Sequence, residues 1–251
     1  MDTTLATLAG LFLPAILNAT VIVAFWTPTK IIVATDGKAS IGGRLGSKQT
    51  TVCKIHQLGE RYYAVSGLSE EPETGFNLDA IVKDLARQAD TILDLADLLE
   101  ARVRPPMLRA LAHIRQKYPQ NYEADFGPSS GGVVLQVVLF GLEHGRLAMV
   151  TRQIGTRDFS DLNRRLDYTR SQPTEFGAIY AGQHGAIDRF RSDNPNWREG
   201  ADLTATVLSF VELELNRSDL QHRNSVGPPV TILEVTVEGS TWVLPGVCPT
   251  G

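Results

Sequence analysis

Cysteine is scarce in this chain: Cys53 and Cys248 are the only two in 251 residues. That count excludes a disulfide-dense scaffold and a cysteine-built zinc site. Cys53, beside Lys54 in a predicted strand, is assigned the ordinary role of a small buried apolar residue. His56, His113, His144, His184 and His222 are scattered without metal-ligand spacing, so no metal or other cofactor is expected. Basic runs are also missing. A net charge of −4 and a pI near 5.8 argue against nucleic acid as the main partner. No apolar run reaches the 18 or so residues of a membrane helix, so no membrane span is expected. No Pro/Gly/Ser-rich linker, internal repeat or low-complexity segment divides the chain, which points to one domain.

Two apolar runs dominate the first quarter. Ala19-Thr20-Val21-Ile22-Val23-Ala24-Phe25-Trp26 and Ile31-Ile32-Val33-Ala34-Thr35-Asp36-Gly37-Lys38 flank a short turn containing Pro28, a hairpin signal. Thr20 opens the first run, Asp36 ends the second, and Lys54 follows. If the chain were cut between Ala19 and Thr20, Thr20 would carry a hydroxyl nucleophile and a free amine. Such an amine titrates at about 7.7–8.0, against about 10.4 for lysine. It is therefore able to serve near neutrality as the base for its own hydroxyl.

The order Thr20, Val33-Ala34-Thr35-Asp36-Gly37-Lys38, Lys54-Ile55-His56-Gln57-Leu58 and Tyr63-Ala64-Val65-Ser66-Gly67-Leu68 resembles the β-type subunits of the proteasome family, a branch of the N-terminal nucleophile hydrolases. The resemblance implies an α+β, four-layer αββα sandwich of two packed antiparallel sheets. It also implies a threonine-type peptidase. Thr20 would attack the substrate carbonyl, Lys54 would favour its deprotonation, and Asp36 would hold Lys54 charged and oriented. The amide of Gly67 would stabilise the oxyanion. In the family, a Gly-Ser-Gly near the nucleophile falls where this chain has Gly182-Gln183-His184-Gly185. An Arg-Asp-x-x-Ser-Gly support falls where it has Arg223-Asn224-Ser225-Val226-Gly227-Pro228. Asn224 keeps hydrogen bonding without the charge, and Ser225 stands in for the missing serine; both join the candidate site.

Residues 1–19 form the expected processed segment and 20–251 the expected domain. The run Leu8–Leu17 has the length of a secretory h-region, and Ala19 suits signal peptidase cleavage, so export is favoured. The acidic start Met1-Asp2 suits instead a propeptide removed by self-cleavage, which would leave the chain cytoplasmic. Apolar spacing predicts helices over 76–90, over 92–118 with a break at Pro105-Pro106, and over 201–216. Strands are expected over 131–141, 147–154, 230–237 and 241–244, and a polar loop over 156–175. The substrate would be a peptide. Alternatives are an amidase acting on a small amide and a silent structural subunit. Surplus apolar residues over Leu93–Leu99 suggest a homo-oligomer.

Overall fold

The computed structural model describes residues 16–18, 20–41, 48–127, 133–158, 163–171, 176–198, 202–217 and 226–249. The run Leu8–Leu17 therefore lies largely outside the described residues, and Asn224 and Ser225 lie wholly outside them.

β-Branched and aromatic residues drive the two expected strands, β2 (Val21–Trp26) and β3 (Lys30–Asp36). Both read as continuous apolar runs because both faces are covered. They pair with each other, with β12 (Gly177–Gly182) and with β13 (Val230–Thr236). The hairpin partner β14 (Gly239–Leu244) completes a five-stranded antiparallel sheet in the order β12-β2-β3-β13-β14.

The larger sheet has nine strands, all joined by antiparallel pairings. Its centre is β7 (Arg61–Glu71), which pairs along one edge with β6 (Ile55–Leu58) and β1 (Ile16–Asn18). Along the other edge it meets β9 (Val133–Glu143) and β8 (Phe76–Asn77). Beyond β9 come β10 (Arg146–Asp158) and β11 (Asn163–Ser171); beyond β1 come β4 (Lys38–Ile41) and β5 (Lys48–Thr51).

Helices α1 (Leu78–Ala86), α2 (Ile92–Lys117) and α3 (Pro119–Phe126) pack on the larger sheet. Asn77 caps α1, and Thr91 with Asp94 forms a capping box on α2. Helices α4 (Gly185–Asp193) and α5 (Leu203–Leu215) pack on the smaller sheet. A further apolar cluster, with Ile22, Ile31, Tyr62, Phe140 and Leu233, lies between the sheets.

The αββα nucleophile-hydrolase sandwich implied by the resemblance is corrected by this architecture. Strand outweighs helix, with fourteen strands against five helices among the described residues, and the two sheets are unequal, the larger branching at β7. Short or polar strands such as β4 (KASI) and β5 (KQTT) lack an alternating apolar signal, so they add strand content that periodicity did not reveal. The polar loop over 156–175 is also corrected: β10 runs to Asp158, and β11 occupies 163–171.

The expected break at Pro105-Pro106 does not occur, and α2 is continuous over 26 residues. The two prolines withdraw amide donors from the carbonyls of Ala101 and Arg102, both at exposed positions where water replaces the lost partner. Buried Leu99, Val103, Met107 and Leu111 hold the helix to the sheet on both sides of the interruption. Finally, Cys53 is not a lone apolar residue. It forms a disulfide with Cys248, with Cα atoms 4.7 Å apart, tying the C-terminal tail to the start of β6.

Candidate active site

Thr20, Asp36 and Lys54 meet at the end of the smaller sheet, all three completely buried. Pairing of β2 with β3 brings the ends of both strands together, with Ile22 opposite Thr35. Thr20 therefore lies near Asp36. Lys54 arrives from the larger sheet, immediately ahead of β6, where its carbonyl accepts the Val65 amide at 3.3 Å.

Asp36 organises the junction. Its Oδ1 accepts the Lys54 ammonium at 2.8 Å and the Val21 amide at 3.1 Å. Its Oδ2 accepts the Lys38 amide at 3.2 Å and the Gly227 amide at 3.0 Å. One carboxylate thus links the residue after Thr20, the β3–β4 turn, the segment before β13 and the buried lysine. Its charge is compensated by one cation and three backbone donors, as a carboxylate removed from water requires.

Burial pushes the Lys54 ammonium below the ordinary lysine range; Asp36 opposes that shift, and nearby Lys38 adds to it. Lys38 is lowered too, by burial first, with Asp36 opposing. Beside this network, the Thr20 hydroxyl is buried and has no hydrogen-bond partner among the described residues. The neighbouring Thr35 hydroxyl is likewise buried without a partner among the described residues.

Gly67 lies on β7 at φ +104°, where a Cβ would come within 2.1 Å of the Val134 carbonyl oxygen, so no side chain fits. Its partner across β1 is Asn18, two residues ahead of Thr20; Leu17 faces Leu68 in the same ladder. The backbone leading into Thr20 therefore lies as a strand between β7 and β4. A cavity of about 150 Å3 beside α1 is lined by Val52, Cys53, His56, Val65, Ser69 and Asp79, and none of Thr20, Asp36, Lys54 and Gly67 lines it. Burial lowers the His56 imidazole below its usual range, against the pull of Asp79, and Lys83 lowers it further. Tyr63, stacked on His56, donates its hydroxyl to Asp79 at 2.6 Å.

The segment Gly182-Gln183-His184 also reaches the site. The Gln183 amide donates to the Thr20 carbonyl at 2.8 Å, whereas the His184 ring pairs with Asp188 at 2.7 Å. Among the candidates, Thr20, Asp36 and Lys54 converge, and Gly67 stands across from the strand that precedes Thr20. Sequence reasoning missed Gln136, whose side chain binds the Gly182 amide at 2.6 Å. Its only signal was one amide inside the run Val133-Val134-Leu135-Gln136-Val137-Val138. It also missed the Gly227 amide, which lay within the quoted Asn224-Ser225-Val226-Gly227.

Among the described residues, no group of three or more His, Cys, Asp or Glu side chains could hold a metal ion, and no helix is long and apolar enough to cross a membrane. The chain matches no protein-family model and no curated protein.

Proposed function

We propose that this protein is a threonine-type hydrolase of peptide bonds that uses Thr20 as an N-terminal nucleophile once the Ala19–Thr20 bond is cut. The observation that carries the reading is the sealed Asp36–Lys54 pair, bonded through Val21 to the residue beside an unpartnered, buried Thr20 hydroxyl.

In the reaction, the free Thr20 amine takes the proton from its own hydroxyl as the oxygen attacks the carbonyl carbon. The Lys54 cation stabilises the alkoxide that develops, and the Gly67 amide receives the negative charge on the carbonyl oxygen. The tetrahedral adduct collapses to an ester on Thr20 and expels the amine product, which takes up a proton. Water then attacks the ester, releasing the acid product and restoring the hydroxyl. The strand Ile16–Asn18 between β7 and β4 supports an extended peptide as substrate, because backbone pairing of that kind is how peptides add to a sheet edge.

The Cys53–Cys248 disulfide favours an oxidising compartment, and so an exported protein. The apolar surplus of Leu93–Leu99 packs against the larger sheet. A homo-oligomer is instead supported by exposed Val237, Val243, Leu244 and Val247 around the edge strand β14. Light scattering of the mature chain at micromolar concentration tests that assembly, and a clean monomer removes it.

Intact mass and N-terminal sequencing come first in testing the activity: the mature chain is expected to begin at Thr20. Fluorogenic peptides are then cleaved by the parent and not by Thr20→Ala, whose fold survives the loss of one hydroxyl. Equal turnover by the two proteins would sink the nucleophile assignment. Turnover of small amides alone would turn the reading into an amidase.

A further inference from the structure

Gln136 stands in an unusual rung of the larger sheet. Its partners across β7 and β10 are Ser66 and Gln153, so three polar residues lie in one row. The flanking rungs contain Val65 with Val137 and Gly67 with Leu135. A polar row within an apolar sheet requires partners for every amide.

Those partners form a directed chain toward Thr20. Gln136 Nε2 donates to Gln153 Oε1 at 2.7 Å, which leaves Gln136 Oε1 facing the smaller sheet. There it accepts the Gly182 amide at 2.6 Å. Reversal of the Gln136 amide would set donor against donor at Gly182, so the Gly182 amide fixes its orientation and the Gln153 amide follows. Gly182, at φ +74°, has no room for a side chain: a Cβ would lie 1.7 Å from the Thr20 carbonyl oxygen and 2.7 Å from Ser66 Oγ. The next residue, Gln183, donates its amide to that same carbonyl at 2.8 Å.

We infer that Gln136 is a positioning residue for Thr20: through Gly182 and Gln183 it holds the Thr20 backbone, and with it the hydroxyl and amine, in register with Lys54 and Gly67. The inference rests on the proposed hydrolase reading for its catalytic consequence, but its structural core does not. Gln136 joins the two sheets here together with the Lys54–Asp36 pair, so loss of its acceptor removes a support of Gly182 and, through Gln183, of Thr20. Displacement of a reacting group by about 1 Å is enough to cost about a hundredfold in rate.

Three readouts on Gln136→Met and Gln136→Glu test this. Methionine keeps the length and removes the acceptor. Glutamate keeps an acceptor for Gly182, and the Gln153 amide turns to donate to its second oxygen. Gln136→Met is expected to lower kcat on a fluorogenic peptide by about ten- to a hundredfold with KM nearly unchanged, and to slow cutting at Thr20 by a similar factor. Hydrogen exchange at the Gly182 and Gln183 amides should accelerate at least about tenfold. Gln136→Glu should restore all three to within a few-fold of the parent. Parental kcat and exchange in Gln136→Met would overturn the inference. So would equal losses in both variants that follow a common drop in Tm, because those mark a merely structural role. Thr20→Ala run in parallel separates the two claims: if it loses nothing, or if the parent turns nothing over, the hydrolase reading fails, and the exchange measurement still decides the positioning of Gly182.

Discussion

Two buried cations, Lys54 and Arg152, show how differently one fold treats a charge. Arg152 on β10 is 5 % exposed, yet its counter-charges on α2, Asp97 and Glu100, are 56 % and 28 % exposed. Its positive charge is met at the surface by carboxylates that keep much of their hydration. Lys54 and Asp36 are both at 0 %. Each loses its water, and such pairs are rarely favourable for stability alone. The first arrangement straps a helix to a sheet. The second maintains a charged group where bulk water does not reach, the arrangement that the proposed chemistry would use.

The comparison is broken most directly at Asp36. Asp36→Ala leaves a buried ammonium without its carboxylate and should destabilise the protein by about 3–5 kcal/mol, read by urea unfolding. Lys54→Met should cost clearly less, because Asp36 retains the amides of Val21, Lys38 and Gly227. Equal losses would mean that the amides contribute nothing to holding the carboxylate.

A second test uses turnover. Lys54→Ala and Asp36→Asn are each expected to reduce kcat at least about a hundredfold, and the double variant little beyond the worse single, since the two act as one unit. Additive losses would separate them.

The pH dependence sharpens the contrast. Lys54 is lowered by burial, so its charged form is lost as pH rises through a value below the ordinary 10.5. Activity that needs the cation should fall there. Stability moves the other way. The cost of charging buried Lys54 is fully present below the folded value and is relieved as pH rises toward the unfolded one. An alkaline limb that coincides with free lysine would remove Lys54 from the mechanism. Lys54→Arg, if it folds, should shift that limb upward.

The smallest effect belongs to the other cation. Asp97→Asn should change stability by no more than about 1 kcal/mol and leave turnover unchanged, because its exposed carboxylate gives up little hydration to meet Arg152. A loss near that of Asp36→Ala would erase the distinction between strap and site.

Much of the candidate site was legible because strand pairing turns sequence order into proximity. Thr20 and Asp36 head and end two apolar strands of one hairpin, so they must meet, and Lys54 precedes the next apolar strand. Gly67 was singled out through the resemblance, at the end of the Tyr63-Ala64-Val65-Ser66-Gly67 strand. Gln136 was not, because its partners Gly182 and Gln153 come from different strands and a hydrogen bond leaves no periodic trace. Apolar spacing made α1 and α2 readable, whereas the continuity of α2 through Pro105-Pro106 depended on packing that spacing does not encode. The short polar strands β4 and β5 take their conformation from neighbours. The Cys53–Cys248 pairing was hidden by the distance along the chain that separates its ends.

That distance has a consequence of its own. The bond joins two residues 195 apart in sequence, closing a covalent ring that includes β6 through β14 and all five helices among the described residues. Thr20, Asp36 and the strands β2 to β5 lie on the tail outside it. A protease that nicks the ring once, in any surface turn between Lys54 and Val247, leaves both pieces attached. Such a nick is invisible on a non-reducing gel and appears as two bands after thiol treatment. A cut on the tail, at the Ala19–Thr20 bond for instance, releases its fragment under either condition. The gel thus separates maturation from damage by where each falls relative to a loop the chain ties in itself.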